Sequence, residues 1–188
     1  MSNSKAIRHN TIAASPKGVV SWNDYEAIRQ IVAGYCHIVD RAVAVGETPD
    51  TSELYHPQAQ YSNSFEEGEV QVGHDAVVAW YHRFLGKRSS FYRYMRHKVF
   101  ESAIVISADG ETAEVSTYYD AESLDRNNQI RAITGIYQDS MAKHEGRWVI
   151  IRRHVMVHYH FNQGEAHRYI GWGRKEPGSN DGWNGPVK

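Results

Sequence analysis

Residues 95–160 read, in order, MRHKVFESAIVIS, ADG, ETAEVSTYYDAES, LDRNN, QIRAITGIYQDSMAK, HEG and RWVIIRRHVMVHYH. Four long runs rich in β-branched and aromatic residues are separated by three short polar turns. Asp-Gly and Glu-Gly between such runs are strong hairpin signals, because glycine supplies the positive φ that tight turns need. The spacing predicts a four-strand meander over 95–107, 112–123, 129–143 and 147 to about 160. Its turns fall at Ala108-Asp109-Gly110, Asp125-Arg126-Asn127-Asn128 and His144-Glu145-Gly146.

Upstream of the meander the periodicity changes. Ser21-Trp22-Asn23-Asp24 places a hydroxyl at a helix start and a carboxylate three residues on. Ile28, Ile31, Val32, Tyr35 and Val39 follow at helical spacing, which predicts a helix to about Ala42. One further helical turn is expected over 51–54, and short strands over 59–64 and 69–72. A second helix is expected over 74–85, with Ala76, Val77, Trp80, Tyr81 and Phe84 on one side and Gly86-Lys87-Arg88 as its stop. Residues 1–20 read as a flexible arm, 21–165 as one domain and 166–188 as an irregular tail. Helices first and a meander after give an α+β order. No βαβ alternation and no glycine-rich phosphate loop are present, which argues against a nucleotide fold.

Composition narrows the classes further. The 188 residues are 41% hydrophobic, enough for a core. Lys and Arg total 21 against 22 Asp and Glu, a formal net charge of −1, so no nucleic-acid or anionic-membrane partner is expected. The single cysteine, Cys36, allows no intramolecular disulfide and reads as a small buried hydrophobe. The start of the chain lacks the apolar core of a signal peptide, and no run approaches a membrane span, so a cytoplasmic location is expected. Histidine is abundant, at 11 copies; it is the residue most often used as a base near neutral pH.

An ordered set of loose motifs runs from Ala27 to Arg153. It passes through Tyr35 and Val39-Asp40-Arg41, then Leu54-Tyr55-His56-Pro57 with Ala59 and Tyr61, then Gly73-His74-Asp75-Ala76-Val77. It continues with Arg96-His97, Gly135-Ile136-Tyr137-Gln138-Asp139, Gly146-Arg147-Trp148 and Arg152-Arg153. This order resembles the SnoaL-like, or nuclear transport factor 2-like, superfamily, over about two-thirds of the chain. That superfamily includes scytalone dehydratase, lindane dehydrochlorinase, bile-acid dehydratase and polyketide cyclases. The resemblance implies a cone-shaped, curved mixed β-sheet with N-terminal helices enclosing a pocket. It also implies an Asp at the end of the first helix and a His at the start of the first long strand, acting as a pair inside the cone. Those positions match Asp40 and His97, and the tyrosine of the first short strand matches Tyr61. A second pocket histidine of the scytalone enzymes has no counterpart: Tyr118-Tyr119 stand there.

A carboxylate on one imidazole nitrogen fixes the tautomer and stabilises the imidazolium, leaving the other nitrogen as a base. Such chemistry needs no cofactor and suits elimination, isomerisation or cyclisation of a small, apolar, oxygenated molecule. Tyr61, Tyr118 and Tyr119 are candidate hydrogen-bond donors to it, and Tyr35 and Trp80 candidate wall residues. Other readings compete. Asp40 alone reads as a polar helix-end residue and His97 as a surface histidine. A non-catalytic module of the same fold would use the pocket to bind a ligand, or the sheet face to bind a protein. His154, His158 and His160 share strand parity, which would suit a metal-dependent oxygenase, but no acidic residue lies in their run. Arg152 and Arg153 read as solvated or paired charges.

Both parities of the third and fourth meander strands carry apolar groups, Ile130, Ala132 and Ile136 against Ile133, Tyr137 and Met141 in the third. One of these sets faces away from the pocket. Unless the tail covers it, the chain should form a homodimer or homotrimer through the sheet, since exposed apolar area costs roughly 25 cal/mol per Å². Light scattering of the full chain at micromolar concentration is expected to give a multiple of the 21.5 kDa chain mass; a monomer mass would mean that the tail does the covering.

Overall fold

The computed structural model describes residues 21–64, 66, 68–89 and 92–165; the expected arm and tail lie outside the described residues. Helix α1 spans Trp22–Val45. Its start is a capping box. Ser21 is extended, its hydroxyl accepts the Asp24 N–H, and the Asp24 carboxylate accepts the Ser21 N–H. Ile28, Val32, Tyr35, Cys36, Val39 and Val43 form the buried stripe. Gly46, at φ 75°, ends the helix in the left-handed cap that glycine adopts without a Cβ penalty, one turn beyond the expected stop. Residues 51–54 make the expected single turn, with the Leu54 N–H donating to the Thr51 carbonyl at 3.0 Å.

Strand β1 is Tyr55–Asn63, β2 Val70–Val72, and α2 His74–Ser89. β1 starts four residues earlier than expected. Its pairing skips from Tyr55 to Gln60, and Pro57, which has no N–H to give a ladder, falls inside that irregularity. α2 runs through Gly86 instead of stopping there: a glycine weakens a helix by about 1 kcal/mol without breaking it.

The meander is β3 (Tyr92–Ile106), β4 (Thr112–Asp125), β5 (Gln129–His144) and β6 (Arg147–Glu165). The six strands form one sheet in the order β2-β1-β6-β5-β4-β3. β1 runs parallel to β6 and every other pair is antiparallel, so the sheet is mixed. The fold is thus the α+β cone expected from the sequence. Bulges at Val99/Ser102, Thr134/Gly135 and Ser140/Met141 bend the strands, and α1 lies in the resulting concavity, mainly against β3. Among the described residues no helix is long and apolar enough to cross a membrane.

Two expectations about side-chain direction fail, the first because of these bulges and the second because of strand alternation. The three late histidines do not all share a face. His154 pairs with Gln138 and His160 with Ile133, five residues apart on β5 and so of opposite parity; His158 is the extra residue of the bulge between them. Tyr118 was grouped with Tyr119 as a donor into the pocket. Adjacent strand residues face opposite ways, and Tyr118 lies on the outer face, 56% exposed, in a row with Ile136 and Met156.

The α1 cap is tied to the sheet through Asp24, whose carboxylate accepts from the Trp148 Nε1–H at 2.8 Å and lies 3.2 Å from Lys143 Nζ. The Trp148 hydrogen bond first, then those from Ser21 and Lys143, hold its pKa down at about 2 against the ordinary 3.8. A carboxyl whose folded pKa is depressed stabilises the fold above its unfolded value and loses that effect as pH falls. The margin of the wild type over Asp24→Asn should therefore be full above pH 3.8 and vanish as the pH falls through 2, followed by circular dichroism. Ser21→Ala is expected to cost about 1 kcal/mol in urea denaturation at neutral pH.

Candidate active site

Asp40 lies one turn before the end of α1 and His97 near the start of β3. The two meet although 57 residues separate them. The Asp40 carboxylate accepts two N–H groups from one residue: the His97 backbone N–H at 2.8 Å and the ring Nδ1 at 2.6 Å. A carboxylate only accepts, so Nδ1 carries a proton in this contact and Nε2 is the free position. These two N–H groups also offset the unfavourable placing of an anion at a helix C-terminus. The side chains are 8% and 20% exposed for His97 and Asp40, so neither is in bulk solvent.

His97 is on the wall of a cavity of about 60 Å³. Tyr35, Tyr61, Trp80, Tyr81, Phe84, Tyr119 and Tyr137 supply aromatic surface around it, and Val39, Met95, Ala121, Ile133 and Val155 complete the lining. The aromatic rings brace one another. Trp80 stacks on Phe84 with centroids 4.5 Å apart and packs on Tyr61 at 4.6 Å, while its Nε1–H donates to Glu66 at 2.5 Å. Tyr119 and Tyr137 are stacked at 4.2 Å and 4°. Tyr35 presents an edge to the His97 ring, centroids 6.3 Å apart.

Burial pushes the phenols of Tyr35, Tyr61, Tyr81, Tyr119 and Tyr137 up, so they stay protonated and act as donors at neutral pH. Tyr81 donates to the Tyr35 hydroxyl at 2.9 Å, which leaves the Tyr35 proton for another acceptor. Burial likewise pushes the Cys36 thiol up to about 12, so it is unsuited to nucleophilic work.

Of the residues expected at the site, the fold brings together Asp40, His97, Tyr35, Tyr61, Trp80 and Tyr119, and leaves Tyr118 outside. Tyr81, Phe84 and Tyr137 were not singled out for it. The first two share the apolar side of α2 with Trp80, which was the available signal. Tyr137 needed the β4/β5 register: Tyr119 pairs with Gly135, and Tyr137 is its diagonal neighbour on the same face. The late histidines do not converge. His154 Nδ1 is 2.9 Å from the Ser62 hydroxyl, and among the described residues no three His, Cys, Asp or Glu side chains are grouped to hold a metal ion.

A family model described as a SnoaL-like domain matches residues 20–154. Solved structures with the same fold include a putative scytalone dehydratase from Novosphingobium aromaticivorans, 18% identical, with a TM-score of 0.59 over 82% of this chain and 96% of that one. A hexachlorocyclohexane dehydrochlorinase of type 2 is 12% identical, with a TM-score of 0.61 over 81% and 99%. A putative aromatic ring hydroxylase, again from Novosphingobium aromaticivorans, is 19% identical, with a TM-score of 0.61 over 76% and 93%. No curated protein matches by sequence.

Gly135 lets the Tyr119 ring lie flat against the sheet. A Cβ there would sit 2.1 Å from the Met156 carbonyl oxygen and 2.9 Å from a Tyr119 ring carbon. Backbone cannot yield as a side-chain tip can, so Gly135→Ala must distort the β5/β6 pairing or expel Tyr119. The expected cost is about 1–3 kcal/mol by chemical denaturation, with a changed near-ultraviolet dichroism signal; wild-type stability and spectrum would show that the strands adjust freely.

Proposed function

We propose, from the premise that the chain belongs to the SnoaL-like domain family, that it is a cofactor-independent lyase or isomerase in which Asp40 orients His97 and His97 acts as the general base. The observation that carries this reading is the 2.6 Å contact between Asp40 and His97 Nδ1, made by a histidine on a cavity wall. Asp40 keeps the proton on Nδ1, so Nε2 offers its lone pair. It takes a proton from a carbon beside a carbonyl or beside a carbon bearing a leaving group. The electron pair of that C–H bond becomes an enolate or a new C=C bond, and a leaving hydroxide, held by a hydrogen bond from a tyrosine phenol that keeps its proton, departs as water with the proton that His97 took up. Asp40 stabilises the imidazolium so formed. The apolar lining excludes water and strengthens each polar contact that remains.

Two structures of the same fold, a putative scytalone dehydratase and a hexachlorocyclohexane dehydrochlorinase, support elimination among these reactions. The substrate class is a small cyclic molecule carrying a hydroxyl, a carbonyl or a halogen. A panel of such compounds, incubated in D₂O and followed by NMR for loss of water or halide or for deuterium uptake, tests the reading. His97→Gln should lower turnover about 10²–10⁴-fold with an unchanged far-ultraviolet spectrum, and Asp40→Asn should lower it by removing the tautomer lock. An unchanged rate in His97→Gln rejects the mechanism. Tight binding with no turnover across the panel would favour a ligand-binding module of the same fold.

A further inference from the structure

Behind the aromatic wall lies a buried charge pair that the proposed chemistry does not use. Asp139 and Arg153 are register partners on β5 and β6, on the concave side of the sheet. Both side chains are fully buried, so of the two expectations for Arg153, a solvated or a paired charge, it is the pairing that holds, whereas Arg152 is exposed. The guanidinium donates twice to one carboxylate, Nε to Oδ1 at 2.7 Å and Nη2 to Oδ2 at 2.6 Å. This two-pronged contact fixes the plane of the guanidinium as well as its position. The plane matters because of what rests on it. The guanidinium carbon is 4.1 Å from the Tyr35 ring centroid and 4.8 Å from that of Tyr137, and those rings meet edge to face at 5.6 Å.

From here contact continues to the cavity in two directions. Tyr35 presents an edge to His97, and Tyr137 stacks on Tyr119. Arg153 itself is not part of the cavity lining. A buried ion pair is weak evidence for stability, because desolvating two charges offsets their attraction; its attested value is in specifying one geometry. We propose that Arg153 and Asp139 are positioning residues: a charged clamp that holds Tyr35 and Tyr137 at fixed angles, and so sets where a ring-bearing ligand lies relative to His97. The proposal rests on the reading above only in taking this cavity as the ligand site.

Two measurements test it, and neither involves turnover, so each stands even if the catalytic role of His97 fails. In the wild-type protein the Arg153 Nε–H is held by Asp139 while the guanidinium carbon lies over the Tyr35 and Tyr137 rings. Its NMR resonance should exchange slowly with solvent and show nuclear Overhauser contacts to both rings; a fast-exchanging resonance without those contacts overturns the clamp. The second measurement replaces both charges at once, Arg153→Met with Asp139→Leu, which leaves no unpaired charge. The denaturation midpoint should be unchanged or higher, while the affinity for p-cresol, by isothermal titration, should fall about tenfold. Arg153→Lys, which keeps the charge but loses the planar fork, should fail to restore that affinity. Wild-type affinity for p-cresol in the double variant, or its restoration in Arg153→Lys, overturns the proposal, as does a double variant that no longer folds, which would make the pair a stability element.

Discussion

Helix α1 lies across the concave face of the sheet, and the burial of its apolar stripe gives that face a core. Each fully buried side chain of the stripe stabilises the fold by roughly 1.5–3 kcal/mol before chain entropy is set against it. The helix is fixed at both ends. At its start the capping carboxylate of Asp24 reaches Trp148 and Lys143 on the sheet. Near its end Asp40 takes the backbone N–H of His97. β3 is at the edge of the sheet, so among the described residues the N–H groups on its far side have no strand to pair with. Asp40 uses one of them as an anchor and turns its other oxygen to the ring of the same residue. The contact that would orient the base is therefore also one that seats the helix.

Around that contact the polar content of the cavity falls away quickly. Tyrosines supply much of its wall, and burial keeps their phenols neutral. Such a lining offers hydrogen bonds without offering charge. The nearby ion pair of Arg153 and Asp139 is screened from the cavity by the rings that it contacts. A reaction that develops charge in this space would meet a low-dielectric surround with few, fixed dipoles, the setting in which a single well-placed base counts most.

The sequence carried the fold well, because the signals were local and redundant. Hairpin glycines, strand-length runs and the Ser21–Asp24 box each spoke for one element and agreed with the rest. It carried Asp40 and His97 only through the ordered resemblance, since nothing local joins residues 57 apart. What remained hidden depended on bulges and register. The parity of His154, His158 and His160 looked continuous until an extra residue in β6 broke it. Tyr137 is an ordinary strand tyrosine until pairing brings it diagonal to Tyr119. Arg153 sits beside the exposed Arg152 and is distinguished from it only by facing inward. A one-residue shift moves every following side chain to the other face, so such errors propagate along a strand and leave its length intact.

The parallel pairing of β1 with β6 has a consequence for how the chain is made. β6 occupies an interior position of the sheet, between β1 and β5, although it is the last in sequence of the described strands. About ninety residues separate paired positions such as Ser62 and His154. During synthesis β1 and β2 emerge with α1 but have only each other to pair with until the end of the meander has left the ribosome. The hairpins of β3, β4 and β5 can form as they appear, whereas joining the two halves of the sheet waits for the final strand. Non-local pairing of this kind slows folding and leaves strand edges open meanwhile. Truncation ahead of Ile150 would thus remove more than β6: it would separate the β1–β2 hairpin, which carries Tyr61, from the sheet that carries His97.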